Sequence, residues 1–225
     1  MTIARLLAVA LLASGLCAAP ALTAGTKKDF EEATSADGLQ KISVRGIDLA
    51  YVRPGVSFKG YTKVMIDPVN VAFRKDFSPQ RPGSYARLST DELNGIRHDV
   101  GRIVQDEFTK ELTKGAYVVV TAPGPDVLQV HPEIVDLYVN APDPMAAGRS
   151  RSYTTSSGEM TLILTLQDSE TGTVLARAYD RDEARGTGSF TWTTSITNRA
   201  DAERTAGAWA RILRARLDAA RGISP

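Results

Sequence analysis

The sequence is poor in the side chains that most often carry chemistry: its 225 residues include one cysteine, Cys17, and two histidines, His98 and His131. A single thiol forms no intramolecular disulfide, and two distant histidines without cysteine partners do not match a zinc motif. The Gly-x-Ser-x-Gly elbow of serine hydrolases is also missing from the sequence. We therefore predict no catalytic, cofactor-binding or metal-binding residue, and we expect a protein that is not an enzyme.

An excess of charge of one sign is also lacking. The chain has 27 basic and 26 acidic residues, and removal of residues 1–24, whose one charged side chain is Arg5, leaves 26 of each. Proteins that bind duplex nucleic acid concentrate positive charge, because binding displaces counterions from the phosphates. The charge balance therefore predicts that nucleic acid is not a partner.

Long apolar runs are limited to the N-terminus, where Arg5 is followed by "LLAVALL". This run has the length of a secretory signal core and is shorter than the ~20 residues that cross a bilayer. The stretches 19–21 and 22–24 follow, and each ends in the small alanine that a signal peptidase requires. We predict a signal peptide over residues 1–24, export to the periplasm and no transmembrane helix in the mature chain.

Cys17 raises the alternative of a lipid anchor. In "SGLC" the bulky Leu16 stands where bacterial lipidation sites have a small residue, and alanine-rich cleavage sites follow it. Cleavage after Cys17 leaves a thiol-free soluble domain, whereas lipidation of Cys17 would tether the protein to the outer membrane. In both cases the polar residues 25–38 are predicted to form a flexible tether.

Four stretches predict strands. In "YTKVMIDPVNVAF" the apolar alternation changes phase at Asp67–Pro68, which predicts a bulge or kink. The run "AYVVVTAP" predicts a buried strand, and "VLQVHPEIVDLYV" predicts a strand whose parity shifts across Pro132. The stretch "EMTLILTLQDSETGTVLARAYD" predicts a hairpin that turns at Gly172.

Two long helices are also predicted. Ser89 and Glu92 match a capping box, and apolar residues follow at spacings of three and four as far as Lys114. Residues 199–221 place Trp209 and several leucines on one side of a second helix. The pattern predicts the α+β class: a single domain over residues 39–221, with a twisted, mostly antiparallel sheet of about five or six strands and two long helices on one face.

Blocks of this sequence resemble a known family. They are "YVRPGVSFKGYTKVMIDPVNVAFRKDF", "YVVVTAPGPDVLQVHPEIVDL", "DSETGTVLARAYDR" and "WARILRARLDAA". Together they are similar to successive blocks of the bacterial family called domain of unknown function 3313, over roughly residues 39–220. The resemblance implies an exported envelope protein of Gram-negative bacteria, often carrying a lipoprotein signal, and it supplies no catalytic residue to transfer to this chain.

The side chains with catalytic potential have simpler interpretations. His98 lies off the apolar stripe of its helix, which predicts a solvated residue. His131 is interpreted as a strand-edge residue near a bulge, with proton transfer or ligand contact as the alternative. Four aspartates near strand breaks or ends are candidates for paired acids, although local hydrogen bonding at turns explains them as well: Asp67, Asp168, Asp180 and Asp182.

The last predicted helix carries a stripe of arginines opposite its apolar side: Arg204, Arg211, Arg214 and Arg221. Arginine presents a planar fork of donors that matches phosphates and carboxylates. The stripe is therefore a candidate contact with anionic lipid or with another envelope protein. Asp218 lies within the stripe, so a solvated helix face is the simpler interpretation.

These observations favour a non-enzymatic accessory or assembly protein of the cell envelope, with an envelope protein as its partner. Two alternatives stay open. One is a periplasmic module that binds a small ligand, with the loop 140–157 over a cleft; its mark would be an apolar pocket with a few convergent polar groups. The other is a hydrolase without a recognisable motif, which would need a nucleophile and a base within hydrogen-bond reach.

Overall fold

The described part of the chain contains three helices and ten strands. A computed structural model describes residues 26–77, 87–139, 153–154, 156–185, 191–192 and 195–223. The helices are α1 (Lys27–Ala36), α2 (Thr90–Lys114) and α3 (Ser195–Arg221). The strands are β1 (Gln40–Ile42), β2 (Leu49–Val52), β3 (Lys63–Ile66), β4 (Asn70–Phe73), β5 (Val118–Val119), β6 (Val127–Val139), β7 (Tyr153–Thr154), β8 (Ser156–Asp168), β9 (Val174–Arg185) and β10 (Thr191–Trp192).

Eight of the strands form one mixed sheet in the order β1-β2-β9-β8-β6-β3-β5, and β4 also pairs with β6. The pairings from β1 to β6 are antiparallel, whereas β6 is parallel to β3 and β4, and β3 is parallel to β5. The short strands β7 and β10 form a separate ladder. The predicted α+β class is confirmed, but the sheet has more strands than the five or six predicted. The sheet also has more parallel strand pairs than the prediction of a mostly antiparallel sheet implies, because α2 connects strands that run in the same direction.

The two long helices pack together on one face of the sheet, as predicted. Their apolar side chains share one buried cluster with that face of the sheet. The capping box opens α2: the Ser89 backbone N–H donates to Glu92 Oε2 at 2.7 Å, and the Glu92 N–H donates to Ser89 Oγ at 3.3 Å. On α3, the predicted Trp209 is buried together with Leu213 and Leu217.

The other face of the sheet is covered in part by α1. Phe30 of α1 is fully buried beside Tyr51 and Tyr179, at ring-centroid distances of 6.0 and 5.5 Å. The flexible tether predicted over residues 25–38 is therefore wrong for residues 27–36. This charged segment forms a helix. Thr26 caps its N-terminus, since the Thr26 side chain accepts a hydrogen bond from the Asp29 N–H, and the buried Phe30 packs the helix against the sheet.

A break in the sheet accommodates two prolines. Ile66 of β3 pairs with Val130 and Asn70 of β4 pairs with Glu133, so the β3–β4 segment contains one residue more than β6 over this interval. The kink predicted at Asp67–Pro68 is confirmed. Pro132 of β6 lies opposite the same break. The Val130 C=O points toward this break, because it accepts from the Asp67 N–H, and the backbone nitrogen of Pro132, two residues on, points to the same side. The N–H that proline lacks is therefore not needed for strand pairing at this position.

The change of parity in β6 lies further along the strand than predicted. Pro132 pairs in regular register with Leu164 of β8, and the register shifts only between Val135 and Tyr138. Asp136 occupies the bulge with a φ of 53°. The predicted shift of register at Pro132 is thus wrong, because the break between β3 and β4 beside β6 already accommodates this proline. The predicted hairpin between β8 and β9 is confirmed, and Gly172 has a φ of 68° at its turn.

Candidate functional site

His131 lies at the break between β3 and β4, on the sheet face away from the long helices. Its Nδ1 is 2.9 Å from Asp67 Oδ2, and its Nε2 is 3.0 Å from Glu133 Oε1. Gln129 Nε2 donates to the same Asp67 oxygen at 2.7 Å. The predicted position near a bulge is confirmed, but β6 is an inner strand, so the predicted strand-edge location is wrong.

The surroundings of His131 fix its charge. Hydrogen bonds from the ring to Asp67 and then to Glu133 raise the pKa of His131 to about 9, against the opposing effect of burial. At neutral pH the ring is an imidazolium whose two N–H groups both donate to carboxylates. In this state it has no lone pair with which to accept a proton, so the geometry describes an ionic clamp across the break in the sheet.

The four candidate aspartates do not meet in one site. Asp67 binds His131, and Asp168 accepts from the Tyr61 hydroxyl at 2.9 Å at the hairpin. Asp180 and Asp182 both lie under α3, where Asp180 accepts from Trp209 Nε1 at 2.6 Å. Burial raises the pKa of Asp180, and the Trp209 hydrogen bond opposes that shift. Within the described part of the chain, no group of three or more histidine, cysteine or acidic side chains is arranged to hold a metal ion.

The first half of the arginine stripe on α3, Arg204 and Arg211, is exposed and lies close to acidic side chains. Arg204 donates to Asp201 Oδ1 at 2.6 Å, one turn away on the same helix. Arg211 and Glu107 of α2 both approach Gly207, where the two helices come close. These arginines have acidic neighbours on α2 and α3.

The second half of the stripe is packed against the end of α2. Arg214 lies 3.5 Å from buried Glu111 of α2 and 3.5 Å from buried Asp218. Lys114 is hydrogen-bonded to Glu111 and, with smaller contributions from Arg214 and Arg211, lowers the pKa of this carboxyl. The guanidinium of Arg221 lies 4.8 Å from the centre of the Tyr117 ring. The structure therefore gives these arginines intramolecular partners, and an external anionic contact of the stripe stays a prediction.

One feature that the sequence analysis missed is the edge strand β5. The run "AYVVVTAP" predicted a buried strand, but Val118 is 58% exposed and Val119 is 38% exposed, whereas the preceding Tyr117 is buried. Among the described residues, β5 pairs on one side with β3 and has no strand on its other side. The signal in the sequence is the composition of residues 115–125, which contain no charged side chain.

Other predicted sites lie elsewhere. His98 is on the outer face of α2, with 78% of its side chain exposed, as predicted. Cys17 and most of the predicted ligand-covering loop 140–157, namely residues 140–152 and 155, lie outside the described residues. The loop prediction is wrong for 153–154 and 156–157, which belong to β7 and β8. None of the described helices combines the length and apolar character that crossing a bilayer requires.

Comparison with known proteins gives one sequence match and several similar folds. The model of the family described as "Protein of unknown function (DUF3313)" matches residues 30–213. No functionally curated protein matches the sequence.

Three similar solved structures share 10 to 11% sequence identity with this chain. The PelC dodecamer from Paraburkholderia phytofirmans, 10% identical, aligns over 78% of this chain and 96% of that chain, with a TM-score of 0.40. Protein XCC0632 from Xanthomonas campestris, of family DUF330, is 11% identical over 76% of this chain and 89% of that chain, with a TM-score of 0.41. The DUF4136 family protein BT2437 from Bacteroides thetaiotaomicron is 10% identical over 80% and 96%, with a TM-score of 0.36. At these identities the likeness concerns the fold and assigns no function.

Proposed function

Because the chain belongs to the DUF3313 family, we propose that it is an exported, non-enzymatic accessory protein of the cell envelope that binds another protein through the outer edge of β5. Export is supported by the N-terminal sequence, in which a single arginine, a short apolar run and small residues follow one another. Binding through a surface is supported by the exposed, uncharged strand.

The β5 edge carries the proposal. An edge strand offers backbone N–H and C=O groups for pairing, and proteins usually protect such edges with charged side chains or by covering them. Val118 and Val119 are exposed on opposite faces of the sheet, and residues 115–125 of the chain contain no charged side chain. Lys63, the register partner of Val118 on β3, is paired with Asp126. Isolated exposed apolar residues are common on protein surfaces, but consecutive valines on an open edge have the chemistry of a strand-pairing site.

The state of the ionisable side chains supports a binding role over a catalytic one. His131 is held between Asp67 and Glu133. The carboxylates of Asp168 and Asp180 accept hydrogen bonds from Tyr61 and Trp209. A general base needs an unoccupied lone pair directed at the substrate, and the His131 imidazolium has none.

In-cell crosslinking tests the binding surface. A photoreactive benzoylphenylalanine at position 119 should give a light-dependent adduct with a protein in intact cells, because the side chain lies at the proposed contact. The same probe at His98, which is exposed on α2, is the matched control and should give none. Failure of the position-119 probe to form any adduct at normal protein level would overturn the proposed binding edge.

The mass of the mature N-terminus tests export. A chain beginning at Leu22 or Gly25 indicates removal of the signal peptide, and a diacylglyceryl group on Cys17 indicates a lipid anchor. Either result supports placement in the envelope. A chain that retains Met1 and stays in the cytoplasm would exclude it.

A further inference from the structure

We propose that the protein bound at the β5 edge is a second copy of the same chain, joined by antiparallel pairing of the two β5 strands. The inference rests on the proposed function, since it names the partner of the same edge. It follows from the direction of the backbone groups, from the side chains of β5 and from a comparison with the opposite edge of the sheet.

One residue of β5, Val119, has backbone hydrogen-bonding groups that point away from β3. The Val118 N–H donates to Thr62 O at 3.3 Å, and the Val120 N–H donates to Val64 O at 2.9 Å. Backbone groups of alternate residues in a strand point to opposite sides, so the N–H and C=O of Val119 point away from β3. At the hydrogen-bonded positions of an antiparallel pair, two directly opposite residues exchange both of their N–H···O bonds, and residues whose backbone groups point toward the partner strand occupy these positions. A two-fold axis at Val119 therefore lets each copy satisfy the outward groups of the other.

The side chains of β5 are compatible with this symmetry. A two-fold axis at Val119 places Val119 opposite its own equivalent and Val118 opposite Val120 of the second copy. Within residues 118–120 every directly opposed pair across the axis is then valine with valine, and β-branched residues pack well across strands. No charge between residues 115 and 125 opposes its own copy.

The opposite edge of the sheet lacks this property. All three residues of β1 are exposed, and Ile42 at its end is 44% exposed. The central residue of β1 is Lys41, however, and a symmetric antiparallel pair about it would place two lysines opposite each other. Like charges directly opposed in a sheet are unfavourable, and edge lysines typically prevent such pairing. Self-association is thus expected at β5 and not at β1.

The length of the edge limits the strength of the contact. Ala116 has a φ of 59°, which ends the extended backbone before β5, and Pro123 lacks a donor on the other side. Because the pairing is symmetric about Val119, the pairing segment is therefore confined to residues 117–121. An interface this short is expected to give a dimer that dissociates on dilution.

Charge-swap variants test the inference in purified protein. Analytical ultracentrifugation should show a concentration-dependent dimer for the natural sequence. Val119→Lys and Val119→Glu should each be monomeric, because position 119 faces its own equivalent, and an equal mixture of the two should form a dimer again. Ile42→Lys, a change at a similarly exposed edge residue, should leave the dimer unchanged, and circular dichroism should show all variants folded.

The outcomes separate this inference from the proposed function. A natural protein that is monomeric at every concentration, or charge-swap variants that do not recombine, would overturn the second-copy assignment. If the position-119 probe captures a different protein in cells while the purified chain is monomeric, the binding edge stands and the second-copy assignment fails. If that probe captures nothing, both fail.

Discussion

His131 Nδ1 lies 2.9 Å from Asp67 Oδ2, across the gap where β3 ends and before β4 begins. The other ring nitrogen lies 3.0 Å from Glu133 on the same strand as His131. The residue that is most suggestive of catalysis in the sequence thus joins two strands where Pro68 and Pro132 interrupt their pairing. The two hydrogen bonds of the His131 ring hold the sheet together at this break.

We expect stability to fall as pH rises through the titration of His131. The pKa of His131 is about 9 in the folded protein, against an ordinary value of 6.5 for histidine, so the folded state binds more protons than the unfolded state between these two pH values. The stabilisation is fully present below pH 6.5 and is lost as pH rises through 9. This stabilisation amounts to about 2 kcal/mol. It is smaller than the free energy that the whole pKa shift would correspond to, because a third of the side chain is exposed and solvent weakens the interaction.

Comparison with His131→Gln isolates this contribution, because glutamine keeps a polar group but does not titrate. The difference in free energy of unfolding between natural protein and variant should be largest at pH 6 and should shrink by about that amount at pH 9.5. Urea unfolding at both pH values measures it. A difference that is independent of pH would show that the ring is not charged between the two carboxylates.

Replacing Phe30 by alanine should detach α1 from the sheet. Phe30 is fully buried, and the loss of a buried phenylalanine costs about 3 to 5 kcal/mol in a rigid core. Since the short helix can undock instead of leaving a cavity, we expect about 2 to 3 kcal/mol in urea unfolding, together with new proteolytic cleavage within 27–36. Lys28→Ala, at a position whose side chain is 83% exposed, is the control and should change neither. Resistance of Phe30→Ala to both effects would restore the predicted flexible tether.

The arginines of α3 should differ in their contribution to stability. Arg214→Gln leaves the buried carboxylates of Glu111 and Asp218 without their shared partner, and we expect a loss of about 1 to 2 kcal/mol. Arg204→Gln removes an exposed pair with Asp201 and should cost at most about 0.5 kcal/mol. Thermal unfolding of the two variants compares them directly. Equal effects would mean that the two halves of the stripe have the same environment.

Elements with a strong local signal could be predicted from the sequence. The capping box at Ser89, the helical spacing that follows it and the left-handed turn at Gly172 are each specified by neighbouring residues, and all three are found. The phase change at Asp67–Pro68 likewise marked the break in the sheet. The family predicted from the sequence blocks is also confirmed.

Features that depend on distant residues could not be predicted in the same way. Position in sequence alone does not reveal that His131 meets Asp67, because this contact requires β3 to lie beside β6. The order of strand, α2 and strand is the pattern of a parallel crossover, but the hairpin signals around β8 favoured an antiparallel sheet. Val118 and Val119 look like a buried strand because apolar composition does not distinguish an inner strand from an edge. Phe30 is the only aromatic residue in the charged segment that forms α1, and a single apolar residue gives no periodic pattern from which an amphipathic helix can be predicted.

Complementation of a deletion strain shows whether the protein works through the β5 edge or through His131. Val119→Lys should fail to restore the natural phenotype at normal protein level, whereas His98→Ala and His131→Gln should restore it fully. The contradicting result is the reverse: full activity of Val119→Lys with loss of complementation by normally abundant His131→Gln, which would point to chemistry at the histidine.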